Sequence, residues 1–453
     1  MSLKRIPSIR LIPLSFLAAI FVGAALLMLP VSTASGKGTD FITALFTSTT
    51  SVCVTGLTVV DTYSYWSTFG HVIIMGLIQI GGLGIITVIT MVMLLTQKRF
   101  SLGERKMLQD SLNLSTDVGV IKMLIRIVRG TLIIELTGAC FYAFAFIPDY
   151  GIGKGIWFAA FHAVSAFCNA GIDIIGNGSL EGYASNGLVL LTTMVLIILG
   201  GLGYVVWFDV AENIWKGIRR KWRPAQIMKR FTEHTKLVLT FTALLIVFGW
   251  IIFFLAEYKN PGTLKGMSLG DKLLNSLFES VTLRTAGFAT VSQKAMTDVS
   301  CVIAYILMFI GGSPIGTAGG VKTVTFFLAY IGIVSYIRSE KPVIFNRKVP
   351  DEAMRKATAV VYLAGFTIII LTLMLMTTEH VGLQDALFEV ISASATVGLT
   401  RGLTPELHTL GKIIIIVAMY LGRIAPISLA IFFAGRKKPD DGCRYLEGKF
   451  YVG

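Results

Sequence analysis

The sequence predicts an all-α polytopic membrane protein in which four span–re-entrant helix–span repeats surround one pore with pseudo-fourfold symmetry. Three observations predict it. The 453-residue chain is 54% hydrophobic and only 15% charged, with mean hydropathy +0.74, whereas soluble domains carry roughly 25% charged residues. Several apolar runs are long enough to cross a bilayer, which needs about 20 residues, and shorter apolar runs lie between them. A glycine stretch then recurs four times, at Gly56, Gly171, Gly287 and Gly398, with separations of 115, 116 and 111 residues.

In chain order, residues 11–29 form the first span, ended by Pro30. Lys4, Arg5 and Arg10 before it imitate a signal peptide, but the segment is also the first member of a repeat and is read as a retained span. Phe41 to Cys53 is apolar and too short to cross; Val54-Thr55-Gly56 and a span at 69–96 follow. The second unit has a span at 121–147, a short helix at 156–168, Asn169-Ala170-Gly171 and a span at 187–214. The third has a span at 236–257, a short helix at 270–283, Thr285-Ala286-Gly287 and a span from 299. The fourth has a span at 357–377, a short helix at 383–395, Thr396-Val397-Gly398 and a span at 409–434. Four repeats therefore divide the chain as 1–97, 98–215, 216–338 and 339–453.

Two further features keep the same phase. An aromatic, Phe46, Phe161, Phe278 or Phe388, precedes each glycine by 9 or 10 residues, and a second glycine site follows at Gly81, Gly200, Gly311 or Gly422. Each unit crosses twice and returns to its starting side, so all four share one orientation. Lys and Arg agree: 29 of the 40 lie in residues 1–10, 97–130, 214–236, 336–357 and 434–453. That bias places both termini in the cytoplasm. It also gives the net charge of +14 a source other than nucleic acid. Arg219-Arg220-Lys221 and Arg436-Lys437-Lys438 read first as solvated topology signals, with a docking surface for a cytosolic partner as the sharper alternative.

Re-entrant, non-helical backbone at membrane depth requires protein or water around it. Glycine admits φ > 0, so consecutive carbonyls can face one side and replace the water around a cation. The candidate ion-binding residues are Val54, Thr55, Gly56, Asn169, Ala170, Gly171, Thr285, Ala286, Gly287, Thr396, Val397 and Gly398. No carboxylate lies within these stretches, which suits a monovalent ion better than a divalent one. Arg284 beside the third stretch is expected to pair with Glu279 or Glu389.

The third unit's second span contains Gly311, Gly312, Ser313, Pro314, Gly316, Thr317, Gly319, Gly320 and Lys322, a composition no regular helix holds. A mobile gate over about 312–320 is expected there. Arg423, inside an apolar run, is expected to face the interior at the level of that loop and slow cations; a helix-positioning ion pair is its alternative role. Lys322 is expected to snorkel towards the cytoplasm.

Cys53, Cys140, Cys168, Cys301 and Cys443 form no CxxC pair, and Cys53 and Cys168 read as small packing residues. Phosphate-loop, dinucleotide and HExxH patterns are absent, and Asn177-Gly178-Ser179 is an unremarkable sequon match. No enzyme activity or organic cofactor is expected. A sodium- or proton-coupled secondary carrier for another cation or solute remains the alternative class; it would want midplane carboxylates, and within-span acids such as Glu135 are few.

With these residues in hand, the chain resembles the Trk/Ktr/HKT family of potassium transporters over about residues 11–453. The stretches Ser51 to Thr62, Gln79 to Gly84, Arg284 to Phe288 and Thr396 to Thr400 are most similar to the bacterial Ktr membrane subunit, as are the length and the lack of extra N-terminal spans. The resemblance implies K+ uptake across a bacterial plasma membrane, sometimes with Na+ as a coupling ion. It further implies a homodimer with one pore per subunit, and a cytosolic ring of nucleotide-binding RCK subunits (KtrA-like). It also implies that the broken third-repeat helix is the intramembrane gate and that Arg423 lies close to it. The first two stretches, VTGL and NAGI, depart from the TVGY pattern of a potassium-channel filter.

Overall fold

The computed structural model describes residues 8–84, 120–176 and 178–424. Asn177 of the sequon, Cys443, the 97/98 repeat boundary, the Arg436-Lys437-Lys438 cluster and the ends of the spans at 69–96 and 409–434 lie outside these residues.

Sixteen α-helices are present among the described residues. The first repeat comprises α1 (Ser8–Leu27), the re-entrant α2 (Phe41–Cys53), the single turn α3 (Thr62–Tyr65) and α4 (Thr68–Leu83). The second comprises α5 (Val120–Tyr150), the re-entrant α6 (Ile152–Cys168), α7 (Gly187–Leu202) and α8 (Tyr204–Arg219). After the short α9 (Pro224–Arg230) come α10 (Glu233–Glu257), the re-entrant α11 (Leu269–Thr282), α12 (Asp298–Phe309) and α13 (Thr323–Arg338). A two-residue hairpin, β1 (Val343–Ile344) and β2 (Arg347–Lys348), leads to α14 (Asp351–Glu379), the re-entrant α15 (Leu383–Ser394) and α16 (Thr409–Ile424).

Helix starts follow from capping side chains. Asp40 and Ser268 cap the re-entrant helices α2 and α11, while Ser67, Asn186 and Thr297 cap α4, α7 and α12. Each oxygen satisfies an amide that has no partner within its helix. For α16, Glu379 does the same work from the end of α14, accepting from the His408 and Gly411 amides.

The ring closes by one repeated contact. α4 packs on α6, α7 on α11, α12 on α15, and α16 on α2. Each repeat's second span thus leans on the next repeat's re-entrant helix, and the fourth returns to the first. The core sits along these contacts: Phe46, Phe161, Phe278 and Phe388 are fully buried. Among the described residues, three helices are long and apolar enough to cross a bilayer unaided: Ile121–Tyr150, Glu233–Glu257 and Asp351–Glu379.

One expected span is corrected. Residues 187–214 are not a continuous helix: α7 and α8 meet at 101° across Gly203. Gly203 adopts φ 86°, ψ 143°, and Gly84 in the first repeat's matching Gly-Gly-Leu-Gly adopts φ 84°, ψ 131°. An L-residue reaches that region only at a cost, so the last glycine of the motif is where the helix ends.

Candidate functional site

Each re-entrant helix is followed within three residues by a left-handed residue, with a glycine at positive φ two positions later. The pairs are Val54 (55°) with Gly56 (102°), Asn169 (60°) with Gly171 (65°), Thr285 (71°) with Gly287 (84°) and Thr396 (52°) with Gly398 (95°). The four glycines meet. A Cβ on Gly56 would fall 2.5 Å from the Ala170 carbonyl oxygen and 3.2 Å from the Gly398 Cα. One on Gly171 would strike the Ala286 carbonyl, one on Gly287 the Val397 carbonyl, and one on Gly398 the Thr55 carbonyl. Backbone from the neighbouring repeat therefore crowds each glycine, and a side chain at any of these positions would have to displace it.

A set of hydroxyls that the sequence reading missed holds this backbone. Gly56 donates its amide to Thr50 Oγ1 at 2.9 Å, and Gly398 donates to Ser392 Oγ at 3.1 Å. In the other two repeats the hydroxyl donates instead, Ser165 to the Ile172 carbonyl at 2.6 Å and Thr282 to the Phe288 carbonyl at 2.7 Å. The signal was present: each hydroxyl precedes its glycine by five or six residues. Among the described residues, the buried Thr55, Thr285 and Thr396 hydroxyls have no hydrogen-bond partner.

On one side of the ring lies an open vestibule of ≈ 580 Å³, reached by all four glycines and by Asp61, Asp173, Glu181, Lys294 and Arg401. Burial at this mouth, in the loop beyond the re-entrant helix, pushes the Asp173 carboxyl up to about 7, and the neighbouring Asp61 carboxylate adds to the rise. Arg401 spans two repeats, donating to Asp385 at 2.8 Å and to the Gln293 carbonyl at 3.0 Å.

On the other side lies the irregular stretch from Ile310 to Lys322. It touches residues that lead into the ring: Thr317 Oγ1 donates to the Phe167 carbonyl at 3.1 Å, and Gly319 abuts Ala395 and Thr396. Ile310 and Val321 form a parallel bridge at its neck. Its middle is sewn to the α7–α8 break, with Ser313 N donating to Gly201 O, Thr317 N to Gly200 O and Tyr204 N to Ile315 O, at 2.9–3.1 Å. Gly311, Gly312, Pro314, Gly316 and Gly320 fall within this loop, as expected.

Two arginines fasten the loop, the first correcting an expected partner and the second lying at the level of the loop without the ion pair of its alternative role. Arg284 does not pair with a carboxylate: it donates to the Gly311 carbonyl and to Thr323 Oγ1, each at 3.0 Å. Glu389 accepts from Thr400 and Thr404, while Glu279 accepts from Gln293 through Oε2 and leaves its buried Oε1 without a hydrogen-bond partner among the described residues. Arg423 bridges the Thr317 and Gly81 carbonyls at 2.5 Å each, and among the described residues it makes no ion pair. Lys322 does not snorkel; its ammonium turns back to the Ala318 carbonyl at 2.5 Å. Carbonyls freed where the helix breaks thus draw in cations. Cys53 and Cys168 are buried, and Cys168 packs directly on Gly82. Glu135 accepts from Gln79 at 3.3 Å. No group of three or more metal-ligating side chains occurs among the described residues.

Known proteins are similar to this chain in sequence and fold. The family described as TrkH, cation transport protein, matches residues 14–441. The Ktr system potassium uptake protein B of Bacillus subtilis is 39% identical over 445 residues, covering 98% of this chain and 96% of that protein. The potassium/sodium uptake protein NtpJ of Enterococcus hirae is 38% identical over 456 residues, covering 99% and 98%. The crystal structure of the potassium transporter TrkH from Vibrio parahaemolyticus superposes with a TM-score of 0.75 at 17% identity, covering 95% of this chain and 86% of that one.

Proposed function

The chain belongs to the TrkH family of cation transport proteins, and on that premise we propose that it takes up potassium through the axis of the glycine ring. The single observation that supports this most is the convergence of four positive-φ glycines with the carbonyls of Thr55, Ala170, Ala286 and Val397 crowded against them. Such carbonyls replace the water around a dehydrating monovalent cation. The four re-entrant helices point their C-terminal ends at the ring, adding partial negative charge without a fixed anion that would trap the ion. The orphaned Thr55, Thr285 and Thr396 hydroxyls are further oxygens suited to a cation.

In this reading the loop 312–320 is the gate. Arg423 is its latch, holding Thr317 of the third repeat to Gly81 of the first. Its charge repels potassium while the latch is closed, and loss of the two hydrogen bonds frees the loop. Both termini face the cytoplasm of a bacterial cell, the vestibule opens outward, and the four repeats follow the boundaries given above, except that α8 carries the second repeat on to Arg219. The working assembly is a homodimer with a nucleotide-binding regulatory subunit on the cytoplasmic loops. The relatives' names support potassium as cargo, and that of NtpJ adds sodium as a second ion.

A sodium- or proton-coupled carrier for another solute is supported less. The buried carboxylates Glu135, Glu279 and Glu389 are held by neutral donors, and none lines the vestibule. Expression in a potassium-uptake-deficient bacterium tests the proposal. Growth restored at micromolar-to-millimolar potassium supports it; no rescue by protein shown to reach the membrane contradicts it.

A further inference from the structure

We propose that α8 with the turn to α9 lies in the membrane surface opposite the vestibule, binds anionic phospholipid headgroups, and so couples that leaflet to the loop 312–320. Calling that loop a gate rests on the preceding section; the lipid site does not.

Two independent observations set the depth of α8. From its vestibule end, α7 rises for 16 residues, or about 24 Å, most of a ~30 Å hydrocarbon core. The 101° turn at Gly203 then sends the chain along the membrane plane. Separately, Asp209 in the middle of α8 accepts from the Thr232 amide and hydroxyl at 2.9 Å. Thr232 is the N-cap of α10, so this contact marks where a spanning helix enters the membrane on that side.

The exposed face of α8 fits that position. Ile214, Trp215 and Ile218 lie on one side of the helix and are 42%, 55% and 71% exposed. Arg219, Arg220, Lys221 and Arg223 follow within five residues, and none of them pairs with a carboxylate among the described residues. The Arg219 guanidinium stacks over Trp215 at 3.7 Å, and that of Arg230 over Trp222 at 4.1 Å. An amphipathic helix with aromatics at the boundary and a basic end is matched by an anionic lipid surface in both apolarity and charge. Because α8 runs along the membrane plane, its exposed indole and isoleucines meet the acyl boundary beside the headgroups that match its charge.

The coupling runs through backbone. Gly203, the bend itself, abuts the Pro314 carbonyl, and Tyr204 at the start of α8 donates its amide to Ile315. A tilt of α8 at the lipid surface therefore moves the middle of the loop directly.

The test uses the full chain. By native mass spectrometry with added phosphatidylglycerol, an Arg219→Gln/Arg220→Gln/Lys221→Gln/Arg223→Gln variant is expected to retain the lipid at least about tenfold more weakly, with the three arginines exchanged for lysine retaining it. In phosphatidylcholine vesicles carrying brominated acyl chains, the wild type is expected to lose fluorescence that Trp215→Phe does not lose. Rubidium flux is expected to differ between vesicles with and without phosphatidylglycerol for the wild type, and not for the glutamine variant. Unchanged lipid retention in the glutamine variant, or equal quenching with and without Trp215, would overturn the proposal. Dissociation of the glutamine variant from a second copy or from a soluble subunit, with lipid retention unaltered, would also overturn it by assigning the face to that partner. A wild type silent in every lipid counts against the potassium pathway alone, because retention and quenching still decide the lipid site.

Discussion

Thr50 and Ser392 show how a single oxygen fixes the backbone of the glycine ring that we propose as the ion path. Each accepts the amide of a glycine that no regular element would satisfy, and an unpaired buried amide costs about 1–3 kcal/mol. Thr50→Val and Ser392→Ala are therefore each expected to lower stability by about that amount, read as a fall in melting temperature, and to weaken potassium-over-sodium preference in competition uptake. At Arg423, two charge-assisted hydrogen bonds worth about 1.5–3 kcal/mol each hold the loop that we propose as the gate. Arg423→Gln is expected to raise rubidium uptake by roughly tenfold or more; slower flux at normal expression would contradict the latch. Asp173 sets a pH dependence whose sign follows from its raised pKa of about 7. Its carboxyl is neutral below that value and anionic above it, so charge that attracts cations appears as the outer pH rises through 7. Uptake is expected to increase roughly twofold to fivefold from about pH 6 to 8, and Asp173→Asn is expected to flatten the profile.

At the scale of elements, the loop 310–322 is held by fixed points rather than by a core of its own: Arg284 at the neck, the Gly200–Tyr204 backbone at the middle and Arg423 at the tip. Deleting Ser313 to Gly319 is expected to raise flux several-fold in a well-folded protein, since it removes the segment under the ring while leaving α12 and α13. Unchanged flux would sink the gate. Sequence periodicity found the re-entrant helices closely, because a short apolar or amphipathic run of 12 to 17 residues leading into a glycine stretch recurs four times in phase. It did not find the bend at Gly203. Residues 187–214 are apolar enough to pass for one span, and a helix-breaking φ at one glycine depends on the loop that docks there, a contact between different repeats. The partners of Arg284 were missed for a related reason: local sequence offered carboxylates, while the fold offered a freed carbonyl closer to hand.

Across the whole molecule, the fourfold frame was legible because it is written four times in phase, by Phe46, Phe161, Phe278 and Phe388 as much as by the glycines. What repetition could not reveal is where the symmetry is broken. Only the structure joins the third repeat's loop to the second repeat's bend and the fourth repeat's arginine. The frame is uniform, and the contacts that break it all fall in the one sector where we propose the gate. The central claim is that the glycine ring carries the permeating ion, and the most direct measurement is the potassium-to-sodium uptake ratio of Gly398→Ser in reconstituted vesicles. A side chain there strikes the Thr55 carbonyl. A ring that coordinates potassium is therefore expected to lose about tenfold or more of its preference while still passing cations. An unaltered ratio in folded, active protein would contradict it.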